Sequence, residues 1–225
     1  MRLVLFDVDG TLVDSQATIH ECMCRTFAAF GRAGPSPAAV RAIIGLSLDH
    51  AIERLLGGWH RDIASMTALY KRHWLAIQDE AAFAVAFFPG MRELLATLSQ
   101  REELALGMVT GKSRRGIEAI ISAHGLERTF LTARTADDCP SKPHPAMVLE
   151  CCAETGIEPA STVVIGDTGF DMEMARAAGA RPLGVGWGYH PREALAAAGA
   201  ERVAETADDI LAFLASLEVG RPSDA

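Results

Sequence analysis

Two kinds of hydrophobic run alternate along this chain. Short, nearly continuous apolar stretches recur at 2–9 (RLVLFDVD), 104–110 (LALGMVT), 128–137 (RTFLTARTAD), 162–167 (TVVIGD) and 181–187 (RPLGVGW). Runs of this length with little polar alternation predict strands buried on both faces. Between them lie helical patterns over 113–125, 144–156, 171–179, 191–199 and 208–217, several closing on glycine. Strand and helix therefore alternate from residue 89 onward. That order predicts an α/β fold with a parallel, Rossmann-like sheet covered by helices on both faces.

Residues 15–88 break the alternation. They carry helical patterns at 16–31, 37–45, 47–58 and 61–84, separated by Gly and Pro, and no strand pattern. The expected organisation is a catalytic core made of 1–14 and 89–225, with an all-helical cap inserted at 15–88. Hinges are expected at 12–16 and 85–90, and a frayed tail at 218–225.

Composition narrows the partners. Lys and Arg total 21 against 29 Asp and Glu, a formal charge of −8 with no basic block, which argues against nucleic acid and anionic membranes. The longest apolar stretches are strand-sized, so neither a membrane span nor a targeting leader is expected. Five cysteines at 22, 24, 139, 151 and 152, with no CxxC spacing, indicate reduced thiols and a cytoplasmic protein. Cys22, Cys24 and His20 share one short helical stretch and read as small packed residues rather than a zinc site. The chain has no Asn, which removes that residue from any catalytic role. Only three lysines, Lys71, Lys112 and Lys142, stand beside eighteen arginines. A loop lysine is thus expected where a compact point charge is needed.

In an open parallel sheet the ligand site lies beyond the carboxyl ends of the strands, near the point where strand order reverses. The predicted strand ends deliver Asp7 and Asp9, then Thr110, Gly111 and Lys112, then Ser141 and Lys142, then Asp167 and Asp171. Any one acid there could be an ordinary turn or helix-cap residue. Four strand ends together point to chemistry. Asp7, Asp9 and Asp167 make an all-oxygen site for a hard cation, Mg2+ above all, with water and phosphate completing its coordination. A carboxylate can attack phosphorus, and a neighbouring acid can protonate the leaving oxygen and then activate water. The Thr110 hydroxyl, the Gly111 amide and the Lys142 ammonium can hold the remaining phosphoryl oxygens. The glycines of GVGWG at 184–188 lack the GxGxxG spacing, so no dinucleotide site is expected. The seven histidines, at 20, 50, 60, 73, 124, 144 and 190, fit no triad.

DVDGT at 7–11, the apolar run ending in Thr110 and Gly111, Lys142 in PSKPHP and GDTGFD at 166–171 together resemble the four motifs of the haloacid dehalogenase superfamily. The likeness spans nearly the whole chain, because the helical insert matches the cap that family places between its first two motifs. DVDGTLVDS, VTGKSRRGI and GVGWGYHPREAL look most like the phosphoglycolate phosphatase group. The resemblance implies Asp7 as nucleophile and metal ligand. It implies Asp9 as general acid and base with its backbone carbonyl on the metal, Thr110 and Gly111 as phosphoryl binders, and Lys142 steadying phosphoryl group and nucleophile. Asp167 would complete the metal site, and Asp171 would orient metal water or Lys142. Many members carry Asn where this chain has Gly111. The loop at Gly45, Leu46 and Ser47 is expected to reach the site from the cap, and Lys112 either to contact substrate or, as is commoner, to sit in the first turn of a solvent-facing helix. The implied activity is Mg2+-dependent hydrolysis of a small phosphorylated metabolite through an aspartyl phosphate, by a monomer or homodimer. A sugar-phosphate mutase or a pyrophosphatase of the same fold is the alternative, and a non-catalytic phosphate-binding protein ranks below both. Asp9 argues against a dehalogenase and against a phosphonate hydrolase, whose Schiff base needs a cap lysine; the one cap lysine, Lys71, lies in a charged helical stretch.

Overall fold

Strand β1 (Arg2–Phe6) shows how the sequence builds the core. Its side chains alternate between two apolar layers, Val4 and Phe6 joining one cluster and Leu3 and Leu5 the other, and all four are fully buried. A strand apolar at every position fits only the centre of a sheet covered on both sides. The computed structural model, which describes residues 1–77, 80, 83 and 85–217, places it there. On one side β1 pairs in parallel with β4 (Leu104–Val109), Phe6 opposite Met108, and on the other with β6 (Thr162–Gly166), Phe6 opposite Ile165. With β5 (Thr132–Arg134), β7 (Arg181–Val185) and β8 (Arg202–Ala204) the order is β5-β4-β1-β6-β7-β8, every pairing parallel.

Helices cover both faces. The layer of Val4 and Phe6 takes in α5 (Met91–Leu98), α6 (Arg114–His124) and α10 (Ala207–Ser216) through Leu94, Ile117 and Phe213. The layer of Leu3 and Leu5 takes in α7 (Ala146–Thr155) and α8 (Gly169–Ala178) through Met147 and Met174. A small satellite cluster, Met172, Leu195 and Val203, seats α9 (Arg192–Ala197).

The inserted helices are α1 (Gln16–Ala29), α2 (Pro37–Arg41), α3 (Leu48–Leu56) and α4 (Ile63–Ile77). They bury a core of their own that includes Cys22, Met23, Ile52, Met66 and Trp74. Cys22 is fully buried among these residues, as a small packed side chain.

Two expectations need correction. Residues 15–88 were expected to hold no strand, yet β3 (Ala86–Phe87) pairs antiparallel with β2 (Val13–Asp14) and clasps the two ends of the insert. A two-residue strand is too short to leave a period-two pattern. The sixth strand, β8, was also missed, since its three residues lie between two alanine-rich helical stretches. The predicted helix at 61–84 ends at Ile77, and most of its further extension, like the tail at 218–225, lies outside the described residues.

Candidate active site

The chain order reverses at β1, where β4 and β6 flank it, and the acids gather at the carboxyl ends of these three strands. Asp7 follows β1 directly, its amide held by Ile165 O at 2.9 Å. Its side chain is 1 % exposed. The cation beside it is Lys142, whose Nζ forms an ion pair with Oδ1 at 2.9 Å and leaves Oδ2 as the oxygen without a partner among the described residues. Burial, only partly offset by Lys142, pushes the Asp7 carboxyl up to about 7.

Lys142 is buried as completely as Asp7. Its ammonium donates to Asp171 Oδ1 at 2.6 Å, and the other Asp171 oxygen accepts from the Thr168 amide and hydroxyl at 3.1 and 2.7 Å. That second set is the capping box opening α8. Burial alone would lower the Lys142 ammonium, but Asp171 and Asp7 outweigh it and hold the group above its ordinary range. With both oxygens committed, Asp171 is built to aim Lys142 at Asp7.

Asp167 directly follows β6 and is fully buried. Its oxygens accept from Thr11 Oγ1 at 3.1 Å and the Tyr189 amide at 2.8 Å. Burial, with repulsion from Asp7 and Asp171, raises its carboxyl well above the usual range. One oxygen from each of Asp7, Asp167 and Asp171 lies within 4.8 Å of the others. Such crowding of acids, one of them with an unpartnered buried oxygen, is what a bound divalent cation relieves. The residues present therefore fit one.

The Asp9 carboxylate is absent from that cluster. Asp7 and Asp9 both line the cavity but have different partners. Asp9 takes Lys112 Nζ at 2.8 and 2.9 Å and the Ser15 hydroxyl. Of the two readings of Lys112, substrate contact or a solvent-facing helix, the commoner one does not hold. The Lys112 side chain is instead 9 % exposed, with Nζ 4.0 Å above the Trp74 ring of α4.

On the other flank, Thr110 directly follows β4, its amide bonded to Arg134 O at 3.0 Å. Gly111 touches the cap. A Cβ there would stand 2.7 Å from Gly45 O and closer still to Leu46 O, so the Asn common at this position has no room. The same loop docks through the Ser47 amide, which donates to Ser141 Oγ at 2.8 Å. The loop at 45–47 thus reaches the site as expected. Between cap and core lies a cavity of about 530 Å³, with Asp7, Asp9, Thr110 and Gly111 at one end and cap residues at the other.

Ser15 and Tyr189 were not foreseen. The Tyr189 hydroxyl receives the Ser15 amide at 3.0 Å and donates to Asp14 at 3.2 Å, joining the Asp167 loop to the strand that opens the insert. Gly10 and Gly188 make this approach possible, since a Cβ on either would fall 2.6 Å from Asp167 Cγ, and Gly10 also has φ 83°. The glycines of 184–188 were the available signal: they mark close backbone approach rather than a nucleotide.

Comparison with known proteins finds relatives over most of the chain. The model of a family described as haloacid dehalogenase-like hydrolase matches residues 4–185. A protein named "Probable phosphatase IndB" from Dickeya dadantii is 32 % identical over 93 % of this chain and 91 % of its own. A phosphoglycolate phosphatase from Synechococcus elongatus is 30 % identical over 96 % and 99 %. Among solved structures, a hydrolase from Pseudomonas syringae superposes with a TM-score of 0.83 at 26 % identity, over 96 % of this chain and 99 % of that one.

Proposed function

This chain belongs to the haloacid dehalogenase-like hydrolase family, and from that premise we propose that it is a Mg2+-dependent phosphatase acting through an aspartyl phosphate on Asp7. The observation that carries the reading is Asp7 itself: a buried carboxylate facing a cavity, its Oδ1 paired with a buried lysine at 2.9 Å and its Oδ2 without a partner among the described residues. A carboxylate kept purely for structure would have its oxygens satisfied, as those of Asp171 are.

In the proposed mechanism the Asp7 oxygen turned from Lys142 attacks phosphorus. Lys142, aimed by Asp171, fixes the nucleophile and offsets negative charge on the phosphoryl oxygens. The Thr110 hydroxyl and the Gly111 amide hold those oxygens from the opposite flank. Asp9 gives a proton to the leaving oxygen, then takes one from the water that cleaves the acyl phosphate. Asp7 and Asp167, with the Asp9 carbonyl, would hold Mg2+, which when bound neutralises charge on carboxylates and phosphate. The helices of 15–88 act as a cap that excludes water while Asp7 is being phosphorylated. The substrate is a small phosphorylated metabolite, and the protein works in the cytoplasm.

Phosphate release from para-nitrophenyl phosphate with Mg2+, with and without EDTA, tests the reading. Turnover that EDTA abolishes and Mg2+ restores is expected. Absence of Mg2+-dependent release across a broad panel of phosphate esters would leave a phosphate-binding protein. A hexose phosphate belongs in that panel, because an isomerised product instead of free phosphate would identify a mutase.

A further inference from the structure

Resting on the phosphatase reading, we propose that the leaving group of the natural substrate is a bulky, largely apolar alcohol rather than a small acid. The cavity of about 530 Å³ extends well beyond the phosphoryl end at Asp7 and Thr110. At about 30 Å³ per molecule it holds the volume of roughly 18 waters, and a two-carbon acid displaces only a few of them.

The chemistry of the far wall narrows the choice. Ile43, Leu48, Tyr70, Trp74 and Leu75 line it from the cap. Among the groups there, the Trp74 indole N–H is a buried donor with no hydrogen-bond partner among the described residues, whereas most of the ionisable groups are already engaged within the protein. Lys112 is held by Asp9, Lys71 lies 3.5 Å from Asp137, the Asp49 carboxylate receives Thr67 Oγ1, and His50 Nδ1 sits 2.8 Å from Ser47 Oγ. Arg115 has no ion-pair partner among the described residues, but it is exposed on the first turn of α6, where solvent and salt screen its charge. A second anion on the substrate therefore meets no buried, unengaged cation. What the wall offers is apolar area, which rewards an apolar leaving group in proportion to the surface covered.

A homologous series isolates this effect, because ethyl, butyl and hexyl phosphate have leaving groups of nearly equal basicity and differ in apolar length. Their kcat/KM is measured with Mg2+ beside phosphoglycolate, with para-nitrophenyl phosphate as the activity control. The expected result is a rise of about fourfold per methylene, with hexyl phosphate above phosphoglycolate. Leu75→Asp should flatten the slope, and since Leu75 is already 37 % exposed the change does not open the core. A flat or falling series in the wild type, phosphoglycolate preferred by tenfold or more, or a slope unaltered by Leu75→Asp would each overturn the proposal while leaving the phosphatase reading intact. No turnover of any ester, para-nitrophenyl phosphate included, would overturn both.

Discussion

Gly111→Ala adds one methyl group at the seam between cap and core while keeping the backbone amide that faces the phosphoryl site. The new Cβ would stand 2.7 Å from Gly45 O, where ordinary contact begins near 3.4 Å, so the loop must retreat by about 0.7 Å at that oxygen and further at Leu46. A shift of that size stretches the bond from the Ser47 amide to Ser141 Oγ, now 2.8 Å, to the edge of hydrogen bonding. The stability cost is modest, about 1–3 kcal/mol for overpacking and a weakened hydrogen bond. At roughly 2–4 °C per kcal/mol for a protein of this size, the melting temperature should fall by several degrees. Activity should suffer more, because displacing a positioning element by about 1 Å can cost up to 10²-fold in rate. Steady-state kinetics on an ester that fills the cavity, paired with a thermal melt, should show kcat/KM down about tenfold or more in a folded protein. Gly111→Asn, which installs the residue common in the family, should be worse still. Wild-type kcat/KM and melting for Gly111→Ala would refute the reasoning, since the loop at 45–47 could not then rest against residue 111 in solution.

Asp7→Asn should abolish turnover with circular dichroism unchanged; residual activity within about tenfold, or 1.4 kcal/mol of barrier, would point to another nucleophile. Lys112→Met leaves the Asp9 carboxylate with Ser15 as its remaining hydrogen-bond donor and strips the cation from Trp74. Its kcat should fall at least tenfold, by the scale of misplaced acid–base catalysis, and an unchanged kcat would show that Asp9 needs no such support. In metal-free protein Asp7, raised from 3.8 to about 7, binds more protons folded than unfolded between these values, so stability should decline as pH rises through that window. Mg2+ binds the ionised site, so the melting shift it produces should be larger at pH 8 than at pH 5; an equal shift at both, read by differential scanning fluorimetry, would place the cation elsewhere.

The parallel sheet was legible because its strands are local objects. RLVLF, LALGMV and TVVIG are apolar at nearly every position, a pattern that only a doubly covered strand accommodates. The strand ends then named Asp7, Asp9, Thr110 and Asp167 before any geometry was known, because parallel sheets deliver their functional residues to one edge. Lys142 was suspected as a rare loop lysine, and the structure brings it against Asp7 and Asp171. Short pieces escaped notice. β2, β3 and β8 hold two or three residues each, too few to show a period.

What the tertiary structure alone decided is who faces whom. Lys112 follows Thr110 by two residues and reads locally as the start of an exposed helix, yet it lies between Asp9 and Trp74, far from it along the chain. Tyr189 touches Asp14 and Ser15 across 175 and 174 residues, and Gly111 owes its missing side chain to a loop at 45–46. Periodicity and strand ends are properties of neighbouring residues, and the sequence carries them directly. Contacts between cap and core arise only when two separately packed apolar clusters settle against each other, and no local pattern records where their surfaces meet.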